Sequence, residues 1–300
     1  MRILKPLLTL SLAQLVAIAC NGNAQTAQSP HITSGAPAGY MLVWSDEFNA
    51  PDGATPDPQK WNYDLGGNGW GNHELEFYTN HPQNAQIKSG NLVITAQKES
   101  TTDKDVTRGY TSARIKTQSL FAQAYGRFES RIKIPKGEGM WPAFWMLGED
   151  ISTISWPRCG EIDIMENIGK EPTAVHASLH GAAASGTDSG NKKATADLTR
   201  IFSLPNNPKL SDDFHVYAVE WEPTTLRFFI DKENYATFTK AEWPQNAPWP
   251  FDHKFFLILN LAVGGDWPGP PDANTVFPQQ MLVDYVRVYI RNAGDSSPKK

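Results

Sequence analysis

Across residues 125–135 the chain alternates with a period of two: Arg127, Glu129, Arg131 and Lys133 fall on one side, Phe128, Ile132 and Ile134 on the other. An extended strand with one wet and one buried face satisfies that pattern, because strand side chains point alternately to the two sides. A helix would scatter the same residues around its axis. Similar β-rich runs cover residues 91–98, 216–221, 226–231, 254–263 and 281–290, separated by Gly, Pro, Asn and Asp. No long amphipathic helix and no internal repeat breaks the series. Many short strands joined by turns predict an all-β sandwich or barrel. At 300 residues with 40% hydrophobic content, the chain holds enough apolar material for one large core.

One strand-like run is anomalous. Residues 160–167 read Gly-Glu-Ile-Asp-Ile-Met-Glu-Asn, three carboxylates in an otherwise apolar stretch. Alternation puts Glu161 and Asp163 on one face and Ile162 and Ile164 on the other, but it then sends Glu166 into the core, which is costly for a carboxylate. A one-residue β-bulge near Met165 returns Glu166 to the acidic face. Glu161 and Glu166 then stand on the order of 13 Å apart at Cα. Side chains leaning together approach the roughly 5–5.5 Å carboxyl separation of a retaining glycosidase, with Asp163 between them to push their pKa values apart. Spacing alone leaves two other readings open: an amphipathic strand whose acids face water, and a cation site built from carboxylate oxygens.

Net charge is −5, which argues against nucleic acid as a partner and against steering of an anionic polymer. Residues 1–24 read as an export signal, with Arg2 and Lys5 ahead of an apolar stretch from Leu7 to Ala19. Two processing routes compete. Ala17-Ile18-Ala19-Cys20 resembles a lipobox, which lipidates Cys20 and anchors an outer-membrane or cell-surface lipoprotein. Gly22-Asn23-Ala24 resembles an ordinary cleavage site, which gives a secreted or periplasmic protein. No other stretch is apolar for long enough to span a membrane. Residues 25–39 read as a linker, 40–290 as a single catalytic domain and 291–300 as a polar tail. The small, polar segment 181–199 reads as a loop near the active-site face. Cys159 reads as a small packing residue, with no disulfide expected.

The residues that decide between these readings are spread along the chain. GEIDIMENIG resembles the catalytic strand of glycoside hydrolase family 16, in the bulged form of its laminarinase-like, endo-β-1,3-glucanase branch. The resemblance extends from about Tyr40 to Ile290 through WSDEFN, GWGNHELEFYT, SGNLVITA, TSARIKT, YGRFESRIKIPKGEGMWPAFWML, VHASLH, NLAVGGDWPG and VDYVRVY. It implies a two-sheet antiparallel β-sandwich, a jelly roll with a concave substrate cleft, acting as a monomer on a β-glucan polysaccharide. No cofactor is implied for catalysis. Mixed-linkage β-1,3-1,4-glucan is a same-class alternative substrate, and a carbohydrate-binding jelly roll without catalysis is the alternative from another class.

By the same resemblance Glu161 is the nucleophile, Glu166 the acid/base and Asp163 the assisting carboxylate. Trp141, Trp145, Trp156 and Trp267 are expected to line the cleft, where an indole suits the apolar face of a sugar ring. Trp44, Trp61 and Trp221 are expected to pack. His176, Ser178 and His180 alternate onto one side, and the resemblance places His180 beside the acids. Asn72, Glu74, Arg114 and Asn260 match polar positions that bind sugar hydroxyls, with a supporting ion pair as the alternative role for Glu74 or Arg114. Glu76 and Phe77, where family members often have Gln or Tyr, receive no role. A structural calcium ion is implied by Glu47, the carbonyl of Gly90 and Asp284, stapling the first and last strands.

Overall fold

The computed structural model describes residues 36–103, 105–184 and 194–292. The chain is all-β: two antiparallel sheets, of eight and seven strands, lie face to face. The seven-stranded sheet runs, edge to edge, Thr195–Ser203, Ala174–Ala182, Glu161–Glu166, Met140–Gly148, Phe255–Val263, Arg114–Lys116 and Asn62–Asp64. Its partner runs Glu233–Thr239, Thr225–Ile230, His215–Glu222, Gly126–Lys133, Gln279–Arg291, Asn91–Ala96 and Ala85–Lys88. The eighth strand, Tyr40–Asp46, pairs with the latter half of Gln279–Arg291, so the two ends of the domain are hydrogen-bonded to each other. The one helical segment among the described residues is a 3-10 turn at Glu149–Ser152.

The period-two run over residues 125–135 forms the strand Gly126–Lys133, and its apolar side faces the other sheet. Phe128, Ile132 and Ile134 join Phe144, Met146, Ile162, Ile164, Leu257, Leu259 and Leu261 in one buried cluster. Burial of each such side chain contributes about 1.5–3 kcal/mol, so these alternations fix which face of each strand turns inward. Trp61 and Trp221 are buried and Trp44 packs against the same core, as expected of them.

Three expectations need correction. The charged side of Gly126–Lys133 is not simply wet: Arg127 and Glu129 are buried, because Arg127 Nε pairs with Glu129 at 2.8 Å and its Nη1 with Glu220 at 3.1 Å. Paired, the charges tolerate exclusion from water. The segment 181–199 is not all loop: Gly181 and Ala182 end one strand, and Thr195–Ser203 forms an edge strand against it. Residues 185–193 lie outside the described residues, as do the proposed export signal, Cys20 and most of the tail. Arg291, read as the first residue of that tail, closes the last strand.

Candidate active site

The acidic strand carries the expected bulge. Glu161, Ile162 and Asp163 pair with Leu147, Met146 and Trp145, then the register slips: Met165 pairs with Phe144 and Glu166 with Ala143. Ile164 is the extra residue, and both Ile164 and Met165 are buried in the core. Two consecutive inward residues return Glu166 to the face of Glu161 and Asp163. On the other side Glu161, Asp163 and Glu166 are paired with His180, Ser178 and His176. Gly160 begins the run at φ +75°, where a Cβ would also stand 2.8 Å from the Phe255 ring and 3.0 Å from Pro250. Only glycine fits that entry to the strand.

Each carboxylate is held by a different neighbour. Trp156 Nε1 donates to Glu161 Oε2 at 2.5 Å, and Trp141 Nε1 donates to Glu166 Oε1 at 2.9 Å. Asp163, 2% exposed, has its Oδ2 3.1 Å from His180 Nε2. The other ring nitrogen of His180 lies 2.6 Å from Asp197, which in turn accepts from Thr195 Oγ1 at 2.7 Å. The cluster is compact: one ligand atom each from Glu161, Asp163 and His180 lie within 4.8 Å of one another. Among the described residues no lysine or arginine forms an ion pair with any of the three acids.

With His180 as the one cation beside them among the described residues, and no lysine or arginine, burial sets the protonation pattern. Burial raises Glu166 to about 7, assisted by Glu161, while His180 and the Trp141 hydrogen bond pull the other way. Burial and the flanking charges of Glu161 and Glu166 push Asp163 well above the usual carboxylate range. Burial opposes a cationic His180, but hydrogen bonds to Asp163 and Asp197 outweigh it, so His180 holds its proton far above its ordinary range. Asp197 is its counter-ion. Burial opposes the charge of Asp197 also, yet the His180 and Thr195 hydrogen bonds hold its carboxyl low. The chemical outcome is one carboxyl near neutrality, Glu166, beside Glu161 on the same open face.

The expected binding residues form a connected row. Asn72 Nδ2 donates to Glu74 Oε1 at 3.2 Å, and the Tyr78 hydroxyl donates to Glu74 Oε2 at 3.1 Å. Asn260 Nδ2 donates to the Tyr78 oxygen at 3.1 Å, and Trp145 Nε1 donates to Asn260 Oδ1 at 2.7 Å. Arg114 lies between two indoles, 4.9 Å from the Trp70 ring centroid and 4.7 Å from that of Trp145, with its Nε 2.8 Å from Asp64. Trp267 meets Trp141 edge-on at 5.4 Å and His176 at 4.8 Å. Gly265, at φ +121°, lets the backbone pass between Asn72 and Trp141, where a Cβ would lie 3.1 Å from the Asn72 carbonyl oxygen. Trp145 and Trp156 rest on a small apolar cluster of Leu147, Cys159, Phe256 and Ile258. Cys159 is the packing residue expected of it, and burial pushes its thiol up to about 12.

Two participants carry no expectation from the sequence: Asp197, which lies in the segment read as loop, and Tyr78, in the GWGNHELEFYT string. Trp70, in the same string, and His176, on the same side as His180, join the site without a residue-level role assigned in advance; the His176 Nε2 lies 2.9 Å from Glu171.

The implied calcium site does not fit the residues present. Both oxygens of Glu47 are taken by Arg287, at 3.0 and 2.8 Å, and Asp284 is paired with Arg131 at 2.9 Å. Calcium needs several oxygen ligands whose charge is available to it, whereas here two guanidinium groups neutralise the two carboxylates. Glu47, Gly90 and Asp284 are therefore reassigned to ion pairing and a turn, Gly90 having φ +73°.

A bulged strand that presents Glu161, Asp163 and Glu166 on one face, with indoles from neighbouring segments donating to two of them, has the paired carboxylates of a glycoside hydrolase. A sequence profile described as glycosyl hydrolases family 16 matches residues 72–287. The chain belongs to glycosyl hydrolase family 16, within its laminarinase-like branch. It is 40% identical to the β-glucanase of Rhodothermus marinus over 292 residues, covering 93% of this chain and 92% of that one. Among solved structures, the catalytic domain of an endo-1,3-β-glucanase (laminarinase) from Thermotoga petrophila RKU-1 is 44% identical with a TM-score of 0.75, covering 84% of this chain and 98% of that one. The endo-β-1,3-glucanase of Pyrococcus furiosus is 43% identical with a TM-score of 0.76, covering 85% of this chain and 96% of that one.

Proposed function

We propose that the protein is an endo-acting β-1,3-glucanase that cleaves laminarin-like glucans with retention of configuration. The observation that carries this reading is the bulge, which sets a near-neutral Glu166 on the same face as Glu161. In the first step Glu161 attacks the anomeric carbon while Glu166 gives its proton to the departing glycosidic oxygen, leaving a glycosyl–enzyme ester. In the second, Glu166 takes a proton from water, the water oxygen bonds to the anomeric carbon, and the Glu161 carboxylate leaves. Two inversions give net retention. Trp156 and Trp141 orient the two carboxylates through their indole N–H groups, and Asp163 with His180 holds a proton beside Glu161. The aromatic and amide row from Trp267 to Arg114 supplies flat apolar faces and hydrogen-bonding edges, which suit an uncharged sugar chain.

The test is release of reducing sugar from laminarin by wild type and Glu161→Ser. Activity in wild type alone supports the assignment, and equal activity in both overturns it. Running lichenan, agarose and carrageenan in parallel distinguishes β-1,3 preference from mixed-linkage or galactan cleavage. Export follows from the leader, with lipidation at Cys20 as the anchoring route. Mass spectrometry of the mature N-terminus decides it: a diacylglyceryl-Cys20 terminus supports anchoring, and an unmodified Gln25 terminus contradicts it.

A further inference from the structure

We infer that Glu76 is a positioning residue for substrate binding: as a neutral carboxylic acid it donates to Glu74 and so holds the Asn72, Glu74, Tyr78 and Asn260 row against Trp145. The role of that row as a sugar-binding edge rests on the glucanase reading, but the state of Glu76 rests on geometry. Glu76 is completely buried in the strand Glu76–Tyr78. Its Oε2 accepts from the Val263 amide at 2.6 Å, while its Oε1 is buried with no donor directed at it among the described residues. Glu74, two residues earlier and itself 4% exposed, is the acid that acts on it, raising the Glu76 carboxyl. Both oxygens of Glu74 already accept, one from Asn72 and one from Tyr78.

Two carboxylates in contact in a dry wall cannot both be ionised. The contact needs a proton, and the orphaned Oε1 of Glu76 is where it resides. Among the described residues no lysine, arginine or histidine forms an ion pair with Glu74 or Glu76. The strand Phe255–Val263, which packs on this segment, carries no charged side chain. Across the paired strand Glu76 faces Tyr110. Arg114, the guanidinium on this row, is committed to Asp64. Burial first, and then the charge of Glu74, pushes the Glu76 carboxyl well above its ordinary range, consistent with that placement. The pair is also tied to the cleft floor: Leu75 donates its amide to the Val263 carbonyl at 2.8 Å, and Asp266 donates to the Asn72 carbonyl at 2.8 Å. When alkali removes the proton, two charges share the wall and Glu74 is driven from its place, so substrate binding weakens while the Glu161 and Glu166 chemistry is untouched by that event.

Steady-state kcat and KM on laminarin from acid to alkaline pH, for wild type, Glu76→Gln and Glu76→Leu, test this. Glutamine keeps a donor but does not titrate, so Glu76→Gln has near wild-type KM at acid pH and no alkaline rise, whereas wild-type KM climbs. Glu76→Leu raises KM by about 3- to 10-fold at every pH, the value of one hydrogen bond, with kcat nearly unchanged. Infrared spectroscopy gives a second arm. The wild-type minus Glu76→Gln difference spectrum at neutral pH contains the carbonyl stretch of a protonated carboxyl group. A Glu76→Gln variant whose KM follows the wild-type pH curve, or a difference spectrum without that band, overturns the inference. If wild type fails to cleave laminarin, the substrate reading has failed, and the infrared arm still decides whether Glu76 carries the proton.

Discussion

The outward faces of the two sheets both carry rows of charged residues, and they treat them in opposite ways. On the eight-stranded sheet the row of carboxylates is paired with arginines: Glu129 and Glu220 share Arg127, Asp284 has Arg131, Glu222 has Arg227 and Arg291, and Glu47 at the edge has Arg287. On the seven-stranded sheet Glu161, Asp163 and Glu166 have indoles and a histidine instead. The consequence is visible in the protonation states. Burial opposes the charge of Glu222, but its arginines hold it low, whereas burial lifts Asp163 and Glu166. Neutralised charges stabilise a surface, and uncompensated ones remain available to move protons.

The sharpest way to break this contrast is to remove an uncompensated acid. Glu161→Gln is expected to lower kcat on laminarin by on the order of 10⁴–10⁶-fold, the range seen when a covalent nucleophile is deleted, with the fold intact by circular dichroism. Glu166→Gln is expected to lower kcat by about 10²–10⁴-fold, and it carries a second signature. The folded-state pKa of Glu166 is raised, so the native protein binds the proton more tightly than the unfolded chain does. That contribution to stability is complete below the unfolded value and is lost as pH rises through about 7. Glu166→Gln therefore melts higher than wild type above that pH, and the advantage disappears in acid. Equal melting temperatures at alkaline pH would contradict the burial of a carboxyl with no lysine or arginine beside it.

A smaller effect is expected from Trp141→Phe. Its hydrogen bond is one of the influences that lower Glu166. Its loss is expected to move the alkaline limb of kcat/KM, expected in wild type near the Glu166 value of about 7, to higher pH. A limb that moves to lower pH would show that the indole does not stabilise the carboxylate. The smallest effects belong to the other sheet. Arg131→Ala removes a half-exposed pair and is expected to cost about 0–1 kcal/mol, with no change in kcat. EDTA is expected to leave the melting temperature unchanged, since Glu47 and Asp284 are held by arginines rather than by an ion. A drop would restore the calcium site.

How far the sequence reveals these two faces differs from residue to residue. The bulge was legible because Glu166 fell out of phase with Glu161 and Asp163, and a buried carboxylate is costly enough to make that phase meaningful. The strand at 126–133 was legible from its apolar side, but the burial of Arg127 and Glu129 was not, since Glu220 and Tyr289 reach them from strands distant in sequence. Asp197 was hidden for a different reason. Its edge strand has only a weak alternation, Ala196, Leu198 and Phe202 broken by Arg200, and follows a small, polar stretch, so only pairing with Ala174–Ala182 reveals that it meets His180. The calcium assignment failed because a family resemblance carries ligand positions but not the arginines that, in this chain, occupy them.

The central claim is that Glu161 and Glu166 act from one face in two successive displacements. Proton NMR of the first product formed from laminarin tests it directly, by reading the configuration of the new reducing end before mutarotation. A β-configured end is the result the geometry predicts, and an α-configured end would contradict it.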